Sequence, residues 1–275
     1  MKTYYKRFML GLTITFSLLQ SINYAVAETN TTNAKSSEVV EVNKANKIIK
    51  PKIIFFDVNE TLLDLGNVAK SVSAALGGRD ELVPYWFTTM LHYSLVGNVT
   101  GQYNSFGEIG IASLEMIAEQ KNITLTHEQA KTAVLTPFRD LAPHTEVVEG
   151  LKRLRALGYT LITLTNSSDA GIAAQLKNAQ LAEYFDGSLT VQTLQIFKPD
   201  LRVYQWAQQT MNIKPEEAML VAAHAWDIAG AERAGWQTAF IMRPGKAPYP
   251  LAEKPNLIGT NLLEVIDELE AITSK

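Results

Sequence analysis

The sequence predicts an α/β fold, a doubly wound parallel sheet with a block of helices inserted near its start. Three observations carry that expectation. The run Ile53-Ile54-Phe55-Phe56, between Lys52 and Asp57, is apolar throughout, as a strand covered on both faces of a parallel sheet must be. After Pro143, short apolar runs alternate with segments of helical period as far as Met242. Between the two lie about 75 residues with helical periodicity and no strand-like alternation.

The chain has 275 residues, 47% of them hydrophobic and 19% charged, enough for a large core; one domain with a sizeable insertion fits as well as two domains. A net charge of -3, with no basic run beyond the N-terminus, gives no electrostatic footprint for nucleic acid. The absence of cysteine excludes disulfides and thiol catalysis.

Taken in order, Lys2, Lys6 and Arg7 precede the apolar run from Phe8 to Leu19, and Ala25-Val26-Ala27 supplies a small-residue cleavage pattern. Residues 1–27 therefore read as a cleaved signal peptide, which sends the mature protein to the periplasm or outside the cell. The alternative, an uncleaved membrane anchor, would need roughly 20 apolar residues, more than this run offers. No stable membrane anchor is expected after cleavage. Residues 28–50, rich in Thr, Asn, Ser, Lys and Glu, read as a flexible tether. The fold is expected to begin near Lys52, with 51–65 and 140–275 as core and 66–139 as the helical block.

Within that block, Asp80 to Val96 places Leu82, Val83, Trp86, Phe87, Met90, Leu91 and Leu95 near a 3.6 period, and Phe106 to Ala118 repeats the pattern. His127 to Phe138 adds a further helix. Beyond Pro143, Val147 to Leu157 reads as a helix stopped by Gly158, and Thr160 to Leu164 as a strand. Helices over Ala170 to Asn178, Leu201 to Met211 and Asp227 to Ala234 then alternate with strands over Gly187 to Val191, Ala218 to Ala222 and Thr238 to Met242.

Open α/β sheets place ligands beyond the carboxyl ends of their strands. Asp57 stands directly after such an end, where it serves either as a reactive carboxylate or as a cap for the next helix. If four strand ends converge, Asp57, Thr165, Lys198 and Asp227 meet in one pocket. A carboxylate nucleophile must be desolvated yet kept ionised, and Lys198 is the natural counter-charge; otherwise it is a surface lysine beside Pro199. Thr61 and Thr165 can donate hydroxyl hydrogen bonds, and Asn166 can order its loop by capping.

Four stretches, Asp57-Val58-Asn59-Glu60-Thr61-Leu62, Leu164-Thr165-Asn166-Ser167, Phe197-Lys198-Pro199-Asp200 and Val221-Ala222-Ala223-His224-Ala225-Trp226-Asp227, resemble in order the motifs of the haloacid dehalogenase superfamily. The resemblance spans Ile53 to about Arg243. It implies a Rossmann-like core under a helical cap that walls off water, and a catalytic set of Asp57, Thr61, Thr165, Asn166, Lys198 and Asp227. Phosphatases of that superfamily carry an acid two residues after the nucleophile and hold Mg²⁺ with a carboxylate at the position of Ala223. Here Asn59 cannot transfer a proton, which a halide leaving group does not require.

The chain is accordingly similar to the type II 2-haloacid dehalogenases. That resemblance implies a hydrolase that cleaves a carbon–halogen bond through an aspartyl ester, without metal or cofactor, on a small organic acid. It places Tyr204 at the border of the site and gives Asp227 the hydrolytic water. Asn59, Phe87, Tyr204 and His224 complete the expected substrate-binding set. The chain departs from the family pattern in having no arginine between Arg79 and Arg139, with Phe87 at the place of the cap arginine. Ala222 and His224 also replace the family's Ser and Asn. Trp86, His92 or His224 remain to bind the substrate's anionic group. A Mg²⁺-dependent phosphatase and a non-catalytic binding protein on the same fold stay open as alternatives, as does a homodimer.

Overall fold

Ile53–Phe56 forms β1, and in the computed structural model, in which residues 48–273 are described, all four of its side chains are buried. β1 pairs in parallel with β2 (Thr160–Thr165) on one side and β4 (Ala218–Ala222) on the other, so that Ile54 sits between Leu161 and Met219. With β3 (Gly187–Thr190), β5 (Gln237–Ile241) and β6 (Leu257–Gly259), the sheet runs β3-β2-β1-β4-β5-β6, all parallel. Every residue of β4 and β5 is buried, as cover on both faces requires. That cover comes from α5 (Val147–Ala156), α6 (Asp169–Asn178), α7 (Leu201–Thr210), α8 (Ala225–Arg233) and α9 (Leu262–Thr273); α5 packs on α9 and α7 on α8.

The strand order reverses between β1 and β4. Chain leaving β1 turns toward β2 and β3, whereas β4 leads to β5 and β6, and such a switch point opens a crevice at the carboxyl edge. Asp57 follows β1 and His224 follows β4 by two residues, so both stand at that crevice.

Between β1 and α5 the described chain is helical: α1 (Gly66–Ala75), a single 3-10 turn at Asp80–Leu82, α2 (Val83–Thr100), α3 (Phe106–Gln120) and α4 (His127–Phe138). α3 buries Phe106, Ile109, Gly110, Ser113, Leu114 and Ile117, one stripe at helical spacing. α3 and α4 each begin with a capping box, Ser105 with Glu108 and Thr126 with Gln129, which satisfies backbone donors that a helix leaves open. Trp86 is 1% exposed and donates Nε1–H to Gly110 O at 2.8 Å. Burying an aromatic ring removes about 150–250 Å² from water, an upper bound of about 4–6 kcal/mol. The chain enters and leaves this block at one place: Asp64 N donates to Ala142 O at 2.8 Å and His144 N to Leu62 O at 2.9 Å.

The fold differs from the sequence-based expectation at its edges. Ile48–Lys50, expected as the end of the tether, belongs to the folded part: Gln237 accepts from Ile49 N at 2.9 Å and donates to Ile49 O at 2.8 Å. The expected signal peptide and the tether as far as residue 47 lie outside the described residues. The helix expected from Asp80 to Val96 starts with the 3-10 turn and runs on to Thr100. β6 and α9 are elements that the sequence pattern does not announce. No described helix is long and apolar enough to cross a membrane.

Candidate active site

The site is built outward from Asp57. Its N–H donates to Val221 O at 3.1 Å, extending the β1–β4 ladder by one step and fixing the side chain at the switch point. The loop then folds tightly, with Leu62 N and Leu63 N both donating to Val58 O. This turn brings Thr61 back beneath the carboxylate, where Oγ1 donates to Asp57 Oδ2 at 2.7 Å and accepts from Ala223 N at 2.9 Å. Glu60 takes the left-handed conformation, φ 61°, which costs a non-glycine residue about 1–2 kcal/mol. Its carbonyl is held by His144 Nε2 at 3.1 Å and its carboxylate by Lys246 Nζ at 2.7 Å.

Lys198 is fully buried, and all three ammonium hydrogens are used: Asp57 Oδ1 at 3.1 Å, Asp227 Oδ2 at 2.6 Å and Leu164 O at 2.7 Å. Burial alone would lower its pKa, but the charges of Asp227 and Asp57 outweigh that and raise it. Asn166 Oδ1 accepts from Lys198 N at 3.0 Å and so orders the lysine's loop.

His224 Nδ1 lies 3.1 Å from Asp57 Oδ2 and Nε2 lies 2.7 Å from Glu60 Oε2. Its ring stacks on Phe87, 6.1 Å away, and on Trp226, 5.0 Å away. Burial would lower its pKa; the two carboxylates overcome burial and push it up to about 9. Burial likewise works to raise Asp57, yet Lys198, His224 and Thr61 hold its carboxyl well below the usual carboxylate range. Asp227 goes the other way: burial raises it, opposed by Lys198 and reinforced by the Asp57 charge. Two neighbouring carboxyls are thus driven apart, the pattern of a charged nucleophile beside a proton acceptor.

Of the expected residues, Asp57, Thr61, Lys198, Asp227 and His224 form one hydrogen-bonded cluster, and α2 lays Phe87 over it. The remaining residues stand around it. Thr165 Oγ1 accepts from Ser167 N at 3.1 Å, which shapes its own loop without using its O–H. Tyr204, expected at the border of the site among the substrate-binding residues, is fully buried and donates its hydroxyl to Asp227 Oδ1 at 2.6 Å. Asn59 is turned away from Asp57: it donates to Ser167 Oγ at 3.3 Å and accepts from Gln175 Nε2 at 2.9 Å. Trp86 is tied to Gly110 O and His92 faces solvent, so of the three residues considered for anion binding only His224 reaches the site.

Three participants carry no signal in the sequence pattern. Glu60 and Lys246 hold the far side of His224. Trp226 stacks on His224, and its Nε1, like Asn166 Nδ2, is buried without a hydrogen-bond partner among the described residues. Glu60 and Trp226 stand inside the motif stretches, but nothing local marks their contacts. Beside the cluster a cavity of about 330 Å³ has Asn59, Ser167 and Gln175 at its polar end and Phe106, Leu135 and Phe138 on its apolar wall.

A family model for haloacid dehalogenase-like hydrolases matches residues 51–235. An (S)-2-haloacid dehalogenase of Pseudomonas sp. strain CBS-3 is 31% identical over 192 residues, 70% of this chain and 84% of that protein. An (S)-2-haloacid dehalogenase of Pseudomonas sp. strain YL is 29% identical over 225 residues, 82% of this chain and 97% of the relative. The solved structure of a dehalogenase with an intermediate complex superposes with a TM-score of 0.73 at 26% identity, covering 82% of this chain and 98% of that one. With the ordered motifs, the parallel sheet and the Asp57 cluster at its switch point, the chain belongs to the haloacid dehalogenase-like hydrolases.

Proposed function

We propose that this protein is an exported, metal-independent dehalogenase that hydrolyses a small 2-haloacid through an ester on Asp57. The observation that carries this reading is the ammonium of Lys198, shared between Asp57 and Asp227, whose pKa values move in opposite directions. The ionised Asp57 attacks the carbon bearing the halogen, the carbon–halogen electron pair leaves with halide, and an ester forms. Water then attacks the ester carbonyl carbon, giving one proton to Asp227. Asp227 returns that proton to the departing alkoxide, so the products are the hydroxy acid, halide and a proton.

Other features support the reading. The unpartnered N–H groups of Asn166 and Trp226 suit the anionic ends of a haloacid, which would satisfy donors that are otherwise buried at a cost. Asn59, bonded to Ser167 and Gln175, offers no acid for the alkoxide of a phosphoester. Ala223 leaves one carboxylate fewer for Mg²⁺, and the positive charge between Asp57 and Asp227 is already supplied by Lys198. Residues 66–139 act as a cap, with Phe87 of α2 laid against His224. The relatives' names add the substrate class. Export rests on residues 1–27 alone and puts the mature N-terminus near Glu28, in the periplasm or outside the cell.

The test pairs a panel of 2-haloacids with a panel of phosphoesters, each with and without EDTA, and traps ester on Asp57 by mass spectrometry. Halide release unaffected by EDTA, with the adduct on Asp57, is expected. Phosphoester turnover that EDTA stops and Mg²⁺ restores would establish the phosphatase instead, and binding without turnover of either panel would establish a binding protein.

A further inference from the structure

The ring nitrogens of His224 face only acceptors. Asp57 Oδ2 and Glu60 Oε2 are carboxylate oxygens of ionised groups, so each of the ring nitrogens facing them carries hydrogen and the ring is an imidazolium. Asp57 Oδ2 thereby receives two donors, His224 Nδ1–H and Thr61 Oγ1–H, while Oδ1 receives one, from Lys198. Each carboxylate oxygen has two lone-pair sites. Those of Oδ2 are filled, and one on Oδ1 is left for attack.

The two oxygens therefore have different fates. Oδ1 bonds to carbon, and Oδ2 becomes the carbonyl oxygen of the ester. When water adds to that carbonyl, the electron pair of the C–O π bond moves onto Oδ2. We propose that His224 is a catalytic residue which, with Thr61, forms a two-donor oxyanion site for Asp57 Oδ2 during ester breakdown. This role rests on the covalent mechanism proposed for the site. Glu60 acts through His224 as a positioning residue, itself held by Lys246. Phe87 and Trp226 stack on the ring and bring no charge. The charged groups around it are Asp57 and Glu60 in contact, then Lys198 and Lys246 one contact further out, and Asp227 beyond Lys198.

A donor of this kind is worth about 10²–10³-fold in the step it serves. Rapid-quench kinetics on a haloacid separates that step: the halide burst reads ester formation, and loss of the Asp57 adduct reads its breakdown. His224→Ala is expected to keep a burst of one halide per site and to slow adduct loss by about 10²–10³-fold. Glu60→Gln tests the role without removing the ring. Rate of adduct loss should fall as pH rises through the imidazolium pKa, below about 9 once Asp57 is esterified, and Glu60→Gln should move that limb to lower pH. Burst and adduct loss slowed alike in His224→Ala, or an alkaline limb unmoved in Glu60→Gln, would overturn the assignment while leaving the ester mechanism standing. No adduct in the unsubstituted protein would remove both.

Discussion

Replacing Lys198 by methionine keeps the length of the side chain and deletes the charge that Asp57 and Asp227 share. Both carboxyls are buried, at 5% and 0% exposure, and each loses one charge-assisted hydrogen bond. Asp57 keeps Thr61 and His224, and Asp227 keeps Tyr204, so neither is stripped bare. Breaking one member out of a buried ion pair costs about 3–5 kcal/mol, because a charge is left behind without compensation. In a domain of this size that corresponds to a fall in Tm of about 6–20 °C. The loss should depend on pH in a defined direction. In the unsubstituted protein the Asp57 pKa is depressed, so its contribution is complete above the unfolded value of about 3.9 and disappears only as pH falls below it. In the variant Asp227, already raised with Lys198 beside it, loses that opposing charge and rises further, so the native state takes up a proton before the unfolded state does. The gap between the two proteins should therefore narrow from pH 7.5 to pH 5. Urea unfolding of both at the two pH values measures it. A gap below about 1 kcal/mol at pH 7.5, against the range expected for a broken buried pair, or one equal at both pH values, would refute the shared-ammonium description.

Four further outcomes are expected. Asp57→Asn should abolish halide release, whereas Asp227→Asn should release at most one halide per site and accumulate the ester, both read by burst kinetics with mass spectrometry. Gly230→Ala would place a methyl 2.6 Å from Tyr204 Oη and 2.7 Å from Pro199 Cβ. Such overpacking costs about 1–3 kcal/mol, read as a lower urea midpoint, and by shifting Tyr204 from Asp227 should slow adduct loss more than the halide burst. Burial raises the carboxyl of Glu232 to about 7, so its ionisation opposes folding increasingly from the unfolded value of about 4.3 up to about 7 and by a constant amount above; Glu232→Gln should raise Tm at pH 8 and leave it nearly unchanged at about pH 4. N-terminal sequencing of protein recovered from an exporting host should begin near Glu28, and an intact Met1 would refute the signal peptide.

The parts legible in the sequence are those written in contiguous residues. Unbroken apolar runs such as Ile53–Phe56 and Ala218–Ala222 announce strands buried on both faces, and the polar residues just beyond them mark the edge where chemistry collects. β6 is not legible: three residues behind a loop that contains Pro248, Pro250 and Pro255 carry no period. Long-range pairing is equally silent. Lys246 reaches Glu60 across 186 positions, and neither residue bears a local mark of the other. The family resemblance places Tyr204 at the border of the site but does not say that its hydroxyl goes to Asp227. Its position one turn into α7 directs the hydroxyl at α8, behind the carboxylate. Thr165 is equally ambiguous in the sequence, since a threonine at a strand end can accept from its own loop, as it does from Ser167 N, and still carry an O–H to donate.

The juncture where Asp64 N meets Ala142 O bears on how this protein can be altered. Because the two connections of the helical block touch at 2.8 Å, the block is topologically a closed ear on the sheet, with its base no wider than one backbone hydrogen bond. Chain between Asp64 and Ala142 is therefore the natural unit of exchange, for a segment whose ends meet and which keeps the core contacts that Asn98 makes with Phe197 and that Phe138 O makes with Gln175. Selectivity is then transplantable as a unit: grafting the corresponding segment of a relative would import its pocket roof, including the residue opposite His224, onto an unchanged Asp57, Lys198 and Asp227.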